Sequence, residues 1–138
     1  MRKKVVWWTA MAVYLAVLLR ITVFRPGAGS GDLFSGALNL EPFAQYMMFA
    51  RYGSWSALFY YLIGNLIVFV PVGYLISRLK DARWQKAAVY GFLISLLIEI
   101  GQYVLGSGVC ETDDLVLNTV GALMGYGLGR LLSHGETQ

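Results

Sequence analysis

Apolar residues fall into four long runs along this chain, and the polar residues inside those runs recur at helical spacing. The first run is Val5 to Phe24, preceded by Arg2, Lys3 and Lys4. The second is Ala57 to Ser77, the third Ala87 to Leu105 and the fourth Leu115 to Leu132. At about 1.5 Å per residue each is long enough to cross a bilayer core as a helix. Residues 25–53 between the first two runs form a long loop rich in Gly, Pro and aromatics, within which 44–52 reads as a short interfacial helix. Trp55, Tyr60 and Tyr61 suit the aromatic belt at the mouth of the second span. Pro71 interrupts that span, removing a donor and predicting a kink.

The third and fourth runs carry the most unusual pattern. Ser95, Glu99 and Gln102 fall within a wedge of roughly 60° on one helix, and Gly106 extends it. Asp114, Asn118, Gly121 and Gly125 make a wedge of about the same width on the next. Because a short acidic turn joins the two runs, they are expected to pack as a hairpin with these faces together. Gly121, Gly125 and Gly129 repeat a small-xxx-small pattern that marks a close helix contact, within the chain or with a second copy.

Composition agrees with the pattern. The chain of 138 residues is 57% hydrophobic and 14% charged, more apolar surface than a soluble domain of this size could bury. The predicted class is therefore an all-α integral membrane protein, a single domain over residues 1–138 with four transmembrane helices. A net charge of +3 is too small to argue for nucleic acid. Its distribution is more informative. Arg2, Lys3, Lys4, Arg78, Lys80, Arg83, Lys86 and Arg130 gather on one side, against Arg25 and Arg51 on the other. The positive-inside rule then predicts both termini in the cytoplasm, with the first loop and the turn at 106–113 facing outward. The single Cys110 permits no internal disulfide.

In this topology Arg20, Asn65, Glu99, Gln102, Asp114 and Asn118 all lie within roughly 12 Å of the outer ends of their spans. Ionisable groups in lipid cost several kcal/mol unless paired or wetted. A shared, outward-open polar pocket is the arrangement that lowers this cost most. Interhelical polar contacts also occur simply as glue, at about 0.6 kcal/mol apiece, but a carboxylate met by polar groups from four helices exceeds what glue requires. Arg20 has two readings, a side chain snorkelling to the headgroups or a cation beside the carboxylates. Asp113 joins the candidate ligand-binding set from the turn. There is no Gly-x-Ser-x-Gly, phosphate loop or His-Glu-x-x-His, so neither a metal nor a cofactor is expected. Should the pocket be catalytic, Glu99 and Asp114 are the candidates, as an acid/base pair or, with Asp113, as oxygen ligands to a cation.

The ordered set of motifs resembles the VanZ-like family of small bacterial membrane proteins. The matching marks are Asn39-Leu40-Glu41-Pro42-Phe43, then Asn65 to Gly73 with Phe69 and Pro71, then Ser95-x-x-x-Glu99-x-x-Gln102, then Asp113-Asp114-Leu115-Val116-Leu117-Asn118 through Gly125. Unlike many members, this chain has no arginine in the turn 106–112. The resemblance implies a multi-pass protein of the bacterial plasma membrane linked to resistance to glycopeptides such as teicoplanin. It points to the same residues as the helical spacing: Asn65, Glu99, Gln102, Asp114 and Asn118. The expectation that follows is a pocket for a lipid, a lipid-linked wall precursor or the acyl tail of a lipoglycopeptide. Two alternatives stand beside it: an enzyme modifying an envelope lipid, or a structural subunit of a larger membrane complex.

Overall fold

A computed structural model describes residues 2–24, 32–79 and 81–135. Its elements run α1 (Arg2–Thr22), β1 (Ala37–Asn39), α2 (Ala44–Arg51), α3 (Trp55–Ser77), α4 (Trp84–Val104), β2 (Val109–Glu111) and α5 (Thr112–Gly135). Helices α1, α3, α4 and α5 are long and apolar enough to cross a membrane, and they coincide with the four apolar runs. The predicted interfacial helix is α2. The early part of the first loop, 25–31, lies outside the described residues.

Without a hydrophobic drive between helices in lipid, close packing holds a membrane bundle together. The most extensive contact is between α3 and α5, followed by α4 and α5, and glycine makes it close. A Cβ on Gly121 would run into the carbonyl of Leu66, one on Gly125 into that of Val70, and one on Gly73 into that of Ala122. Gly129 sits against Ser77. The Gly121, Gly125 and Gly129 stripe is thus occupied by α3 of the same chain. Gly91 lies against Ala122 where α4 joins the contact. Phe69, Val72, Ile76, Ala87, Ile98 and Ala122 close the core around it.

Helix α1 is more loosely seated. It buries Met11, Leu18 and Val23, and its Tyr14 hydroxyl donates to the Val68 carbonyl at 2.5 Å, one turn before Pro71. Helix α3 continues through Pro71 to Ser77. At one end of the bundle Trp7, Tyr74, Arg78 and Ser133 converge, Arg78 donating to Ser133 and to Tyr74 at 3.0 Å each. The start of α1 and the ends of α3 and α5 therefore share that end, as four antiparallel spans require.

The opposite end holds what the sequence pattern did not foretell. β1 and β2 pair in parallel, with Ala37, Leu38 and Asn39 opposite Val109, Cys110 and Glu111. The long first loop and the short acidic turn, between which the sequence signals no pairing, are zipped together. The first loop also folds over the end of α4. Phe34 N–H donates to the Val104 carbonyl at 2.7 Å and Gly36 N–H to that of Tyr103 at 3.0 Å, which satisfies carbonyls that a helix end leaves unpaired. Gly36 is required there, because a Cβ would strike the Tyr103 backbone.

Candidate functional site

Helices α3, α4 and α5 bring their polar residues together beneath the β1–β2 pair. The two wedges face each other as the spacing predicts. Asn118 donates to the Ser95 hydroxyl at 2.8 Å, and Ser95 donates to the Asp114 carbonyl at 3.3 Å. Asn118 is 5% exposed, and its amide oxygen has no hydrogen-bond partner. Glu99, at 1% exposure, accepts the Glu111 backbone N–H at 2.8 Å. Its carboxylate therefore fastens β2 to α4.

Asp113 fastens the first loop in the same way. Both of its oxygens accept the Phe43 N–H, at 3.0 and 2.8 Å. Phe43 holds a φ of +59°, a strained setting for a residue other than glycine, and this bond to a buried carboxylate helps to fix it. Asp114, next in the sequence, turns toward α3 and accepts from the Asn65 side-chain amide. Adjacent acids in the first turn of α5 thus hold two different neighbours. Both also suit the positive end of the helix dipole.

A cavity of about 390 Å³ opens beside this cluster, between the ends of α1 and α4, the first half of α3 and the start of α5. Asn65, Gln102 and Asp114 line it, together with Gln45, Glu111, Thr22, Tyr60 and Tyr61. Gln45, with its amide nitrogen turned toward Glu111, donates to both carboxylate oxygens at 2.6 and 3.0 Å. Asn39 donates to the same carboxylate at 3.2 Å. Gln102 reaches the Thr22 carbonyl at 3.4 Å and so ties α4 to the end of α1, while its own oxygen is left without a partner.

The predicted residues consequently divide into three groups. Asn65, Gln102 and Asp114 line the cavity, whereas Glu99, Asp113 and Asn118 are buried outside its lining, where they brace the elements that form it. Arg20 belongs to neither group: it is exposed and donates to the Phe24 carbonyl at the end of its own helix. Of its two readings, the cation beside the carboxylates finds no support in this geometry.

Sequence spacing missed Gln45, Glu111 and Tyr46, which belong to α2 and β2, in the connections between the spans. Tyr46 is 9% exposed, and its hydroxyl is buried beside Asn65 and Asp114 without a well-formed hydrogen bond. Burial first, and then the charge of Asp114, push its phenol up to about 12. Burial likewise raises the Cys110 thiol, with Glu99 adding to the effect. The signal that could have found Glu111 and Gln45 is the family-like loop motif from Asn39 to Phe43, which lies against both. Among the described residues no three of His, Cys, Asp and Glu are grouped so as to hold a metal ion.

Comparison with known proteins agrees with the motif reading. A family model described as VanZ/LLP1 matches residues 11–133. The chain is similar to Protein VanZ of Enterococcus faecium, 28% identical over 125 residues that cover 86% of this chain and 71% of that one. No solved structure matches.

Proposed function

This chain belongs to the VanZ/LLP1 family, and from that premise we propose that it is a bacterial plasma-membrane protein linked to glycopeptide resistance that holds an amphiphile in its outer-end cavity. The observation that carries the reading is the make-up of the cavity. Its floor is polar, with Asn65, Gln102, Glu111 and Asp114, whereas Ile21 and Val68 give it an apolar wall. Exposed Ile21, Tyr60 and Tyr61 stand at its edge, where the spans would meet the outer leaflet. A volume of this order suits a small-molecule head group. A lipid, a lipid-linked wall precursor and the acyl end of a lipoglycopeptide all combine a polar part with an apolar one. The enzyme reading is weaker, because Glu99, its general base, is engaged by the Glu111 N–H and does not line the cavity.

The test is a susceptibility assay in a teicoplanin-sensitive host expressing the protein. Asp114→Asn and Asn65→Ala are expected to lower the inhibitory concentration several-fold toward the empty-vector value while membrane levels stay constant. Mass spectrometry of the purified protein is expected to show loss of a co-purifying amphiphile in the same variants. Full resistance in both variants, with the amphiphile retained, would remove the cavity from the mechanism.

A further inference from the structure

Four carboxylates, Glu99, Glu111, Asp113 and Asp114, share the outer end of the bundle, close enough for their charges to interact. Each is held by a neutral N–H donor, and among the described residues no lysine or arginine bridges any of them. Concentrated negative charge at the edge of a low-dielectric slab is costly without a cation nearby. Two of the four, Glu111 and Asp114, line the cavity, and among the described residues lining it none is basic. A separate observation concerns oxygen acceptors. The Gln102 amide oxygen, at the cavity lining, has no hydrogen-bond partner. At the edge, the Tyr60 and Tyr61 rings meet at 85° with centroids 5.8 Å apart, and ring faces of this kind attract a cation within about 6 Å.

We propose that the cavity takes an ammonium-bearing amphiphile, its protonated amine seated between Glu111 and Asp114 and its alkyl chain leaving past Ile21 and Val68 into the lipid. This rests on reading the cavity as an amphiphile site and adds the charge of the head group. An ammonium offers three donors and no acceptor, matching two carboxylates and the Gln102 amide oxygen. A phosphate or pyrophosphate head is the opposite case. It brings acceptors and negative charge to a lining already rich in both, where the Asn65 amide is committed to Asp114 and the Gln102 amide to Thr22. The inference therefore separates the three candidate ligands: a lipid or lipoglycopeptide that bears an amine fits, and a pyrophosphate-linked precursor does not. An inorganic cation is less well served, since the acidic side chains are not grouped as a ligand set among the described residues.

The experiment is a titration of the detergent-purified protein with dodecylamine, dodecanol and dodecyl phosphate, followed by native mass spectrometry. Dodecylamine is expected to bind about tenfold more tightly than the other two, the ratio that one charge-assisted contact supplies. Glu111→Gln is expected to erase that preference. Glu111→Gln keeps an acceptor oxygen for Asn39 and Gln45 and Asp114→Asn one for Asn65, so loss of the preference in both variants reads the charge itself. Reconstitution in equal parts phosphatidylethanolamine and phosphatidylglycerol identifies the source. Retention of the amine lipid assigns a membrane lipid, and response to dodecylamine alone assigns an amphiphile arriving from outside. Equal binding of all three probes, or tighter binding of the phosphate, overturns the ammonium assignment and leaves the amphiphile site standing. Binding of none of them overturns both.

Discussion

Adjacent residues at this site do different work, and direction decides which. Asp113 and Asp114 are neighbours in the first turn of α5, so their side chains point about 100° apart. One reaches the loop at Phe43 and the other reaches α3 at Asn65. Glu99 and Asn118 were expected to meet the ligand, yet both are turned to bracing. Tyr46 offers the clearest test at this scale. Its phenol is raised to about 12 by burial and by Asp114, so the fold favours the neutral form. The stabilisation this gives is complete below the ordinary phenol range near 10 and is lost as pH climbs through about 12. An alkaline titration followed by tyrosinate absorbance, taken as the difference between the native protein and Tyr46→Phe, is expected to show a midpoint near 12. A midpoint near 10 would place the hydroxyl in water.

At the scale of elements, the contact between α3 and α5 carries the fold, and glycine is its means. Gly73 and Gly125 bring each helix against the other's carbonyls, a closeness that larger residues forbid. Gly125→Val is expected to destabilise the bundle by ~1–3 kcal/mol, the usual range for overpacking. Gly127, one helical face away, has open space around it. There alanine is expected to stabilise by up to about 1 kcal/mol through helix propensity. Thermal loss of helicity in detergent, followed by circular dichroism, checks the pair. If both substitutions acted alike, the small residues would be serving something other than this contact. The β1–β2 pair is the second element-scale feature. It closes the acidic end of the bundle by joining the loops on either side of α3 and α4, and Glu99 and Asp113 hold it down.

For the whole molecule, the four spans form an antiparallel bundle with distinct ends. One gathers Trp7, Tyr74, Arg78 and Ser133, and the other carries the acids, the strand pair and the cavity. The loop charges predict that the acidic end faces outward. Leu40 in the strand-side loop and Gln85 in the first turn of α4, beside the basic loop, are both exposed. In a Cys110→Ser background, Leu40→Cys is expected to react with a membrane-impermeant maleimide on intact cells. Gln85→Cys is expected to react only after permeabilisation. The reverse result would turn the cavity toward the cytoplasm and remove it from any extracellular ligand.

The sequence by itself determined the class, the four spans, the interfacial helix and the facing of the Ser95 and Asn118 wedges. Each of these follows from burial repeated every 3.6 residues, or from a stretch of apolar chain as long as a bilayer is thick, and both are local properties. The family likeness was legible for a related reason, because its motifs recur in order along one strand of residues. Only the tertiary structure decided that β1 and β2 pair, that Glu111, Gln45 and Tyr46 join the site, and that Arg20 stays out of it. Three-residue strands carry no period, and the Asn39–Glu111 contact joins positions 72 residues apart. Such a contact exists only once the helices between them have packed, since that packing alone brings the two loops to the same end of the bundle.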